Sequence, residues 1–320
     1  MKDKETNEKT ILAQVASMHY LQGMSQLEIA EKMFFSKAKV SRLIKKSFET
    51  GIIEIKINFP LQRIQELEEA LLKKYNIKEI IVIVDFPQEI ETKLKLNRLA
   101  KITSQYLNNK IHDHDIIGLS WGDTLRELVS ELNLTNKTNC KITQVLGACS
   151  DNYDKTKDSM TLVRQLAEKL KCQYSLLYAP MYVENNIVKT LLMQEKIVAK
   201  TIEASKNVNH LITGIGSINS KYSSSSWAGY FDDNQINKLR QKKAVGYICG
   251  HFIDVYGNEI TLEKNSNLIG ISLDDIKNIK NVIAISGGIN KTKATHGALV
   301  GGYIDVLITD EFLARKLLEY

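Results

Sequence analysis

The stretch Gly23–Ile57, GMSQLEIAEKMFFSKAKVSRLIKKSFETGIIEIKI, contains two short amphipathic segments, a break between them, and an alternating run at its end. Ser25 precedes the first segment with Glu28 three residues on, the spacing of a capping box. The spacing predicts a helix over Gln26–Met33 that buries Leu27, Ile29, Ala30 and Met33, with the small Ala30 allowing a neighbouring helix to come close. After the break at Phe34–Phe35, Ser36 caps a second helix that reaches about Glu49 and buries Val40, Leu43, Ile44 and Phe48. Gly51 stops it, and Ile52–Ile57 alternates apolar and polar as a strand of a small wing. Two short helices joined by a tight break form a helix-turn-helix.

The outward face of the second helix is basic. From Lys32 to Lys46 there are six basic residues and no acidic one, while the whole chain carries +6 from 43 basic and 37 acidic residues. These residue types reach phosphates and base edges from a major groove. The expected DNA-contacting set is Ser36, Lys37, Lys39, Ser41, Arg42 and Lys45, with Lys46 on the same face. A recognition helix reads bases from its first turn, which points to Lys37, Ala38, Lys39 and Arg42. A merely solvated helix would share the charge but not the order of cap, break, basic helix and wing.

Toward the amino end, Ile11, Leu12, Val15, Met18 and Leu21 recur at helical spacing, and Gly23 closes that helix. Toward the carboxyl end, Pro60 opens a connector (residues 59–77) whose Leu61, Ile64, Leu67, Leu71 and Tyr75 form an apolar edge. Either the chain's own later domain or a second copy covers that edge. A lone helix-turn-helix buries little surface and two-fold pairing doubles its contacts, so a dimer or tetramer is expected.

From Lys78 onward, short β-branched runs alternate with longer amphipathic stretches. Strands are expected at Glu79–Val84, Asp115–Leu119, Ile142–Leu146, Tyr174–Ala179, His210–Ile215, Ala244–Cys249, Asn281–Ser286 and Ile304–Thr309. The helices between them include Glu89–Asn109, Thr124–Leu132, Thr156–Leu170, Val188–Ser205 and Thr292–Val300. The fold class is α/β, a parallel sheet with helices on both faces, and ligands in such sheets bind beyond the carboxyl ends of the strands. Three strand exits are rich in small and hydroxyl residues: GLSWGDT (Gly118–Thr124), TGIGS (Thr213–Ser217) and SGGINK (Ser286–Lys291). Backbone N–H groups there can approach an anion, and Lys291 adds a point charge. Neither G-x-G-x-x-G at the first joint nor a P-loop is present.

Composition sets the outer limits. A chain of 320 residues, 43 % apolar and 25 % charged with three prolines, fits two or three globular domains and excludes a disordered or collagen-like chain. No apolar run approaches the roughly 20 residues of a membrane helix, and the charged start MKDKETNEKT lacks a secretory h-region, so a cytoplasmic protein is expected. Cys140, Cys149, Cys172 and Cys249 show no CxxC spacing; no metal, cofactor or disulfide framework is expected.

Residues Gly23–Ile57 resemble the DNA-binding end of the SorC family of bacterial sugar-responsive transcriptional regulators. The family pattern S-Q-x-x-I-A, turn, S-[RK]-x-x-V-S-R-L is matched by Ser25, Gln26, Ile29, Ala30, Ser36, Lys37, Val40, Ser41, Arg42 and Leu43. IGLSWGDTL (117–125), TQVLGA (143–148), APMYV (179–183), TGIGSI (213–218), AVGYICGHFIDVYG (244–257) and ISGGINKTKATHGALVGGYIDVLITDE (285–311) continue the likeness in family order. The resemblance implies a winged helix-turn-helix domain (1–58), the connector, and an effector domain (78–320) like ribose-5-phosphate isomerase and glucosamine-6-phosphate deaminase, used to sense a phosphorylated sugar. It implies a pocket lined by Ser120, Gly122, Thr124, Gly216, Ser217, Gly288 and Lys291, with Gln144 facing sugar hydroxyls. Three places depart from the pattern: Phe34 where a turn glycine is common, Tyr247 where aspartate is common, and Thr295–His296 in place of an aliphatic stretch after the lysine. A sugar-phosphate isomerase or deaminase fused to a DNA-binding end is the rival reading, with Asp123, Asp310 and Glu311 as its acid/base groups.

Overall fold

Ser25 and Ser36 frame the amino-terminal unit by capping two helices. Ser25 Oγ accepts the Glu28 N–H at 3.3 Å while Glu28 Oε2 accepts the Ser25 N–H at 2.7 Å, and Ser36 Oγ accepts the Lys39 N–H at 3.2 Å. In the computed structural model, residues 2–53, 61–85, 92–134, 139–149, 158–219, 230–263 and 265–320 are described. The chain divides into Met1–Pro60 and Leu61–Tyr320.

In the first unit, α1 (Lys2–Ala16) runs into a π-helical turn (Ser17–Leu21), followed by α2 (Gln26–Lys32) and α3 (Lys37–Glu49). Val15, Ile29, Ala30, Val40 and Ile44 form the core. The buried stripe of α3 differs from expectation at its end: Phe48 is exposed and Ser47 is buried. Ser47 Oγ donates to Leu43 O at 2.8 Å and lies 3.2 Å from Leu12 O, so a small hydroxyl brings α1 and α3 together where a phenyl ring would hold them apart. Leu27 is exposed too, because α2 turns only its Ile29–Ala30 side inward. The turn residue Phe34 has φ +55°, the left-handed region that costs a non-glycine residue energy. Residues 54–57 of the expected wing strand lie outside the described residues. Ile52 and Ile53 both donate their N–H groups to Ser47 O.

In the second unit, strands β1 (Glu79–Ile83), β2 (Ile116–Leu119), β3 (Lys141–Gln144), β4 (Gln173–Ser175), β5 (His210–Ser217), β8 (Val282–Ser286) and β9 (Val306–Asp310) form a parallel sheet ordered β1-β9-β8-β5-β2-β3-β4. Neighbouring residues of one strand enter opposite cores: Ile80 and Val82 lie in one, Ile81 and Ile83 in the other, and Val282/Ile283 divide the same way. One core is roofed by α5 (Thr92–Lys110), α6 (Asp123–Glu131) and α7 (Ser159–Leu170). The other is roofed by α4 (Gln65–Lys74), α10 (Asp233–Gln241), α11 (Leu273–Asn278), α12 (Thr292–Val300) and α13 (Glu311–Leu318). Between them, α8 (Asn186–Gln194) and α9 (Lys196–Lys206) divide the single helix expected over Val188–Ser205, parted at Glu195 by an extended ψ of 128°.

The expected strand Ala244–Cys249 is part of an antiparallel ribbon instead. β6 (Gly246–Ile248) pairs with the end of β5 and with β7 (His251–Ile253), joined through Cys249 and Gly250, both at positive φ. The connector helix starts at Gln65 and buries Leu67, Leu71 and Tyr75 against β1 and α13, so its apolar edge is covered within the chain. Just before it, residues 62–64 run beside β1, with Ile64 N–H donating to Val82 O and Val84 N–H to Gln62 O, both at 2.9 Å.

Candidate functional site

Strands β8, β5 and β2 lie side by side, so the three glycine- and hydroxyl-rich exits open at adjacent points along one edge of the sheet. At the first, Ser120 is buried and its Oγ donates to Thr213 Oγ1 at 3.0 Å. Gly122, at φ +111°, turns the chain into α6, where Thr124 is buried beside Gly214 of the second exit. At that second exit Ser217 is buried, and its Oγ accepts the Asn219 N–H at 3.3 Å.

The third exit is partly closed by a carboxylate of the chain itself. Asp310 is fully buried; its Oδ2 accepts the Gly288 N–H at 2.6 Å and its Oδ1 accepts the Leu313 N–H at 2.9 Å, capping α13. Lys95 bonds Asp85 at 2.8 Å and reaches Asp310 at 3.6 Å, and burial raises the Asp85 carboxyl above the usual range. Lys291 stands where α12 begins, and burial lowers the pKa of its ammonium against the opposing pull of Asp310 and Asp123. A desolvated ammonium binds an incoming anion strongly, because little water has to be removed from it. A cavity of about 590 Å³ spans the second and third exits, lined by Ser217, Asn219, Asn290, Thr292 and Lys293 among others. Asn219, Asn290, Thr292 and Lys293 are additions that the sequence reading missed, although Asn290 lies in the third exit and Thr292 and Lys293 just beyond it.

Gln144 is committed elsewhere. It is fully buried, its Nε2 donates to Leu146 O at 2.8 Å and Ser159 Oγ at 2.9 Å, and its Oε1 accepts the Leu177 N–H at 2.9 Å. Its amide joins β3, α7 and the segment after β4, leaving no donor for a sugar hydroxyl. His251 and His296 are likewise engaged by neighbouring groups. His251 sits between Glu259, at 2.6 Å, and Ile271 O, at 2.9 Å, while His296 stacks on Tyr320 and bonds Tyr75.

A row of aromatic rings backs the exits, running Trp121, Tyr247, Phe252, Phe231, Tyr182 and Tyr230 with successive centroids 5.1–6.3 Å apart. At its far end, Tyr230 Oη donates to Ala148 O at 2.6 Å beyond β3.

In the first unit, Ser36, Lys37, Lys39, Ser41, Arg42 and Lys45 are all exposed on or next to α3. Ser36 is engaged as the cap, Lys39 Nζ lies 3.6 Å from the Phe35 ring centre, Lys45 reaches Glu49 at 4.0 Å, and Lys46 pairs with Glu8. Arg42 Nε donates to Ala38 O at 3.3 Å, leaving the rest of its guanidinium outward. Among the described residues, no cluster of His, Cys, Asp and Glu is arranged to hold a metal, and no helix is long and apolar enough to cross a membrane.

The sequence model of the Sugar-bind family, a sugar-binding domain, matches residues 60–319. The chain is 29 % identical over 315 residues to the deoxyribonucleoside regulator of Bacillus subtilis (strain 168), covering 98 % of each. It superposes with a TM-score of 0.75 on the full-length sorbitol operon regulator SorC of Klebsiella pneumoniae, at 25 % identity over 97 % of this chain and 98 % of that one. A DeoR family transcriptional regulator of Listeria monocytogenes gives a TM-score of 0.72 at 30 % identity, over 79 % of this chain and 98 % of that one.

Proposed function

Because the chain belongs to the SorC family of sugar-binding transcriptional regulators, we propose that it binds operator DNA through α3 and that a phosphorylated sugar at the β2, β5 and β8 exits sets its affinity for that DNA. The observation that carries this reading is the adjacency of the three exits, with Lys291 at the mouth of one of them. The DNA-binding part is a winged helix-turn-helix over residues 1–58, residues 59–77 are the connector, and residues 78–320 form an isomerase-like sensor domain. The phosphate is held by the exit backbone, by Ser120, Gly122 and Thr124, by Gly216 and Ser217, and by Lys291, while the Gly288 N–H stays with Asp310. The protein works in the cytoplasm as a dimer or tetramer. Since α4 buries its apolar edge in its own chain, the copies associate through other surfaces.

The effector acts by favouring one arrangement of the assembly over another, which alters the spacing of paired recognition helices. The protein is a sensor and not an enzyme in this reading. An isomerase or deaminase needs a positioned acid and base with protons to move, whereas both Asp310 oxygens accept backbone N–H groups and Glu311 is held by Arg315 and the Asp85 N–H. A thermal-shift screen against pentose and hexose phosphates, followed by operator binding with and without each positive compound, tests the proposal. Stabilisation together with changed operator affinity supports it, and measurable turnover of any of them overturns the sensor assignment.

A further inference from the structure

Two cysteines distant in sequence meet at the border of the sheet. β3 and β4 run parallel with Lys141 opposite Gln173, Ile142 opposite Tyr174 and Thr143 opposite Ser175. The residues one step ahead of these pairs, Cys140 and Cys172, therefore stand opposite each other. Side chains at one register position leave a parallel pair on the same side, and both cysteines enter the same core, the one roofed by α5, α6 and α7. Their thiols interact with each other, and the Cys140 N–H is directed at the Cys172 sulfur. Each sulfur otherwise holds one weak bond to a carbonyl, Cys140 to His112 O at 3.4 Å and Cys172 to Leu170 O at 3.5 Å. Both thiols are free; Cys140 is buried, whereas Cys172 is partly exposed at the entry to the outermost strand.

We propose that Cys140 and Cys172 are a redox pair, in which a hydroperoxide oxidises Cys172 and Cys140 then closes an intramolecular disulfide that fastens β4 to β3. In the first step the Cys172 thiolate attacks the peroxide, the O–O bond breaks, and the sulfur becomes a sulfenic acid as the departing oxygen takes up a proton. In the second the Cys140 sulfur attacks the sulfenic sulfur; the S–S bond forms, the S–O bond breaks, and water leaves with the Cys140 proton. Adjacent strands lie about 4.8 Å apart, inside the Cα separation of about 4.4–6.8 Å that a disulfide bridges. Gln144 already ties the carboxyl ends of this strand pair by accepting the Leu177 N–H, and the disulfide adds a covalent tie at the amino ends. Burial, with Cys172, Asp115 and Asp113 nearby, pushes the Cys140 thiol up to about 11, and burial raises Cys172 as well. The reactive thiolate is scarce near neutrality, so oxidation is slow there and quickens as pH rises.

The test treats the reduced full-length chain with hydrogen peroxide, blocks remaining thiols and maps the digested peptides. The expected product links the Cys140 and Cys172 peptides with the loss of two hydrogens, and the thiol count of the denatured chain falls from four to two. Dithiothreitol should restore all four. The oxidised monomer should melt about 5 °C higher, because the cross-link restricts the unfolded chain. Oxidation should run at least about fivefold faster at pH 8.5 than at pH 7.5. Cys140→Ser should stop at a Cys172 sulfenic acid that dimedone traps, with no linked peptide. Oxygen added to Cys172 of the unaltered chain without pairing, a bond to Cys149 or Cys249, a link between two molecules, or a melting temperature that does not rise overturns the proposal. Because the peptide map is read on the unaltered chain, the outcome stands whether or not the variant folds, and it depends on neither effector nor operator.

Discussion

Two residues carry a cost that the fold alone does not explain. Phe34 holds a left-handed backbone and is 95 % exposed, so its ring contributes little burial to offset the strain. Phe34→Gly should raise the stability of the amino-terminal unit by about 1 kcal/mol, since glycine accepts positive φ freely; a lower melting temperature would mean that the ring has a contact of its own. Lys291 is the second. Desolvation disfavours its charged form although the side chain is only partly buried, and a lysine held so is the sort of group that function retains against stability. Lys291→Met should leave the unliganded melting temperature equal or higher and should abolish the response to a phosphorylated sugar. Both follow from one melting series with and without ligand, and a full response in the variant would place the phosphate elsewhere. The sign with pH is also fixed: a lowered lysine pKa empties the charge at lower pH than an ordinary lysine, so effector affinity should decline earlier on the alkaline side.

At the level of the element, α3 separates its tasks by face. Val40, Ile44 and Ser47 are buried and Lys37, Ser41, Arg42 and Lys45 are exposed. Arg42→Ala should weaken operator binding at least tenfold without changing the association state, measured by anisotropy and by sedimentation. The logarithm of the affinity should also fall steeply with the logarithm of salt, as counterions leave the phosphates. Most elements were legible in advance because their signals are local: caps at Ser25 and Ser36, and unbroken apolar runs in strands buried on both faces. What was illegible depended on partners distant in sequence. The run AVGYICG reads as one strand, yet the chain reverses at Cys249–Gly250 into three-residue strands. The break at Glu195 has neither glycine nor proline to announce it. The exits were visible as glycine and hydroxyl clusters, whereas the Tyr247 ring on Gly216, the internal bonds of Gln144 and the carboxylate of Asp310 at Gly288 arise only from tertiary register.

For the whole molecule, sensing requires that ligand free energy at the sheet exits reach the DNA-binding face. A coupling of about 1–3 kcal/mol corresponds to about 5- to 150-fold in operator affinity. Operator titrations at saturating and zero effector should fall in that range, and by reciprocity saturating operator should shift effector affinity by the same factor. A ratio of one would leave the two ends of the chain energetically independent.

The borders of the sheet have a bearing on how copies of this chain meet. On one side the backbone of residues 62–64 already occupies the rim of β1, and on the other β4 is three residues long. Strand-to-strand docking between copies at these two margins would find one flank taken and the other too brief to zip, so crowded molecules are spared there the cross-β adhesion that a long naked margin invites.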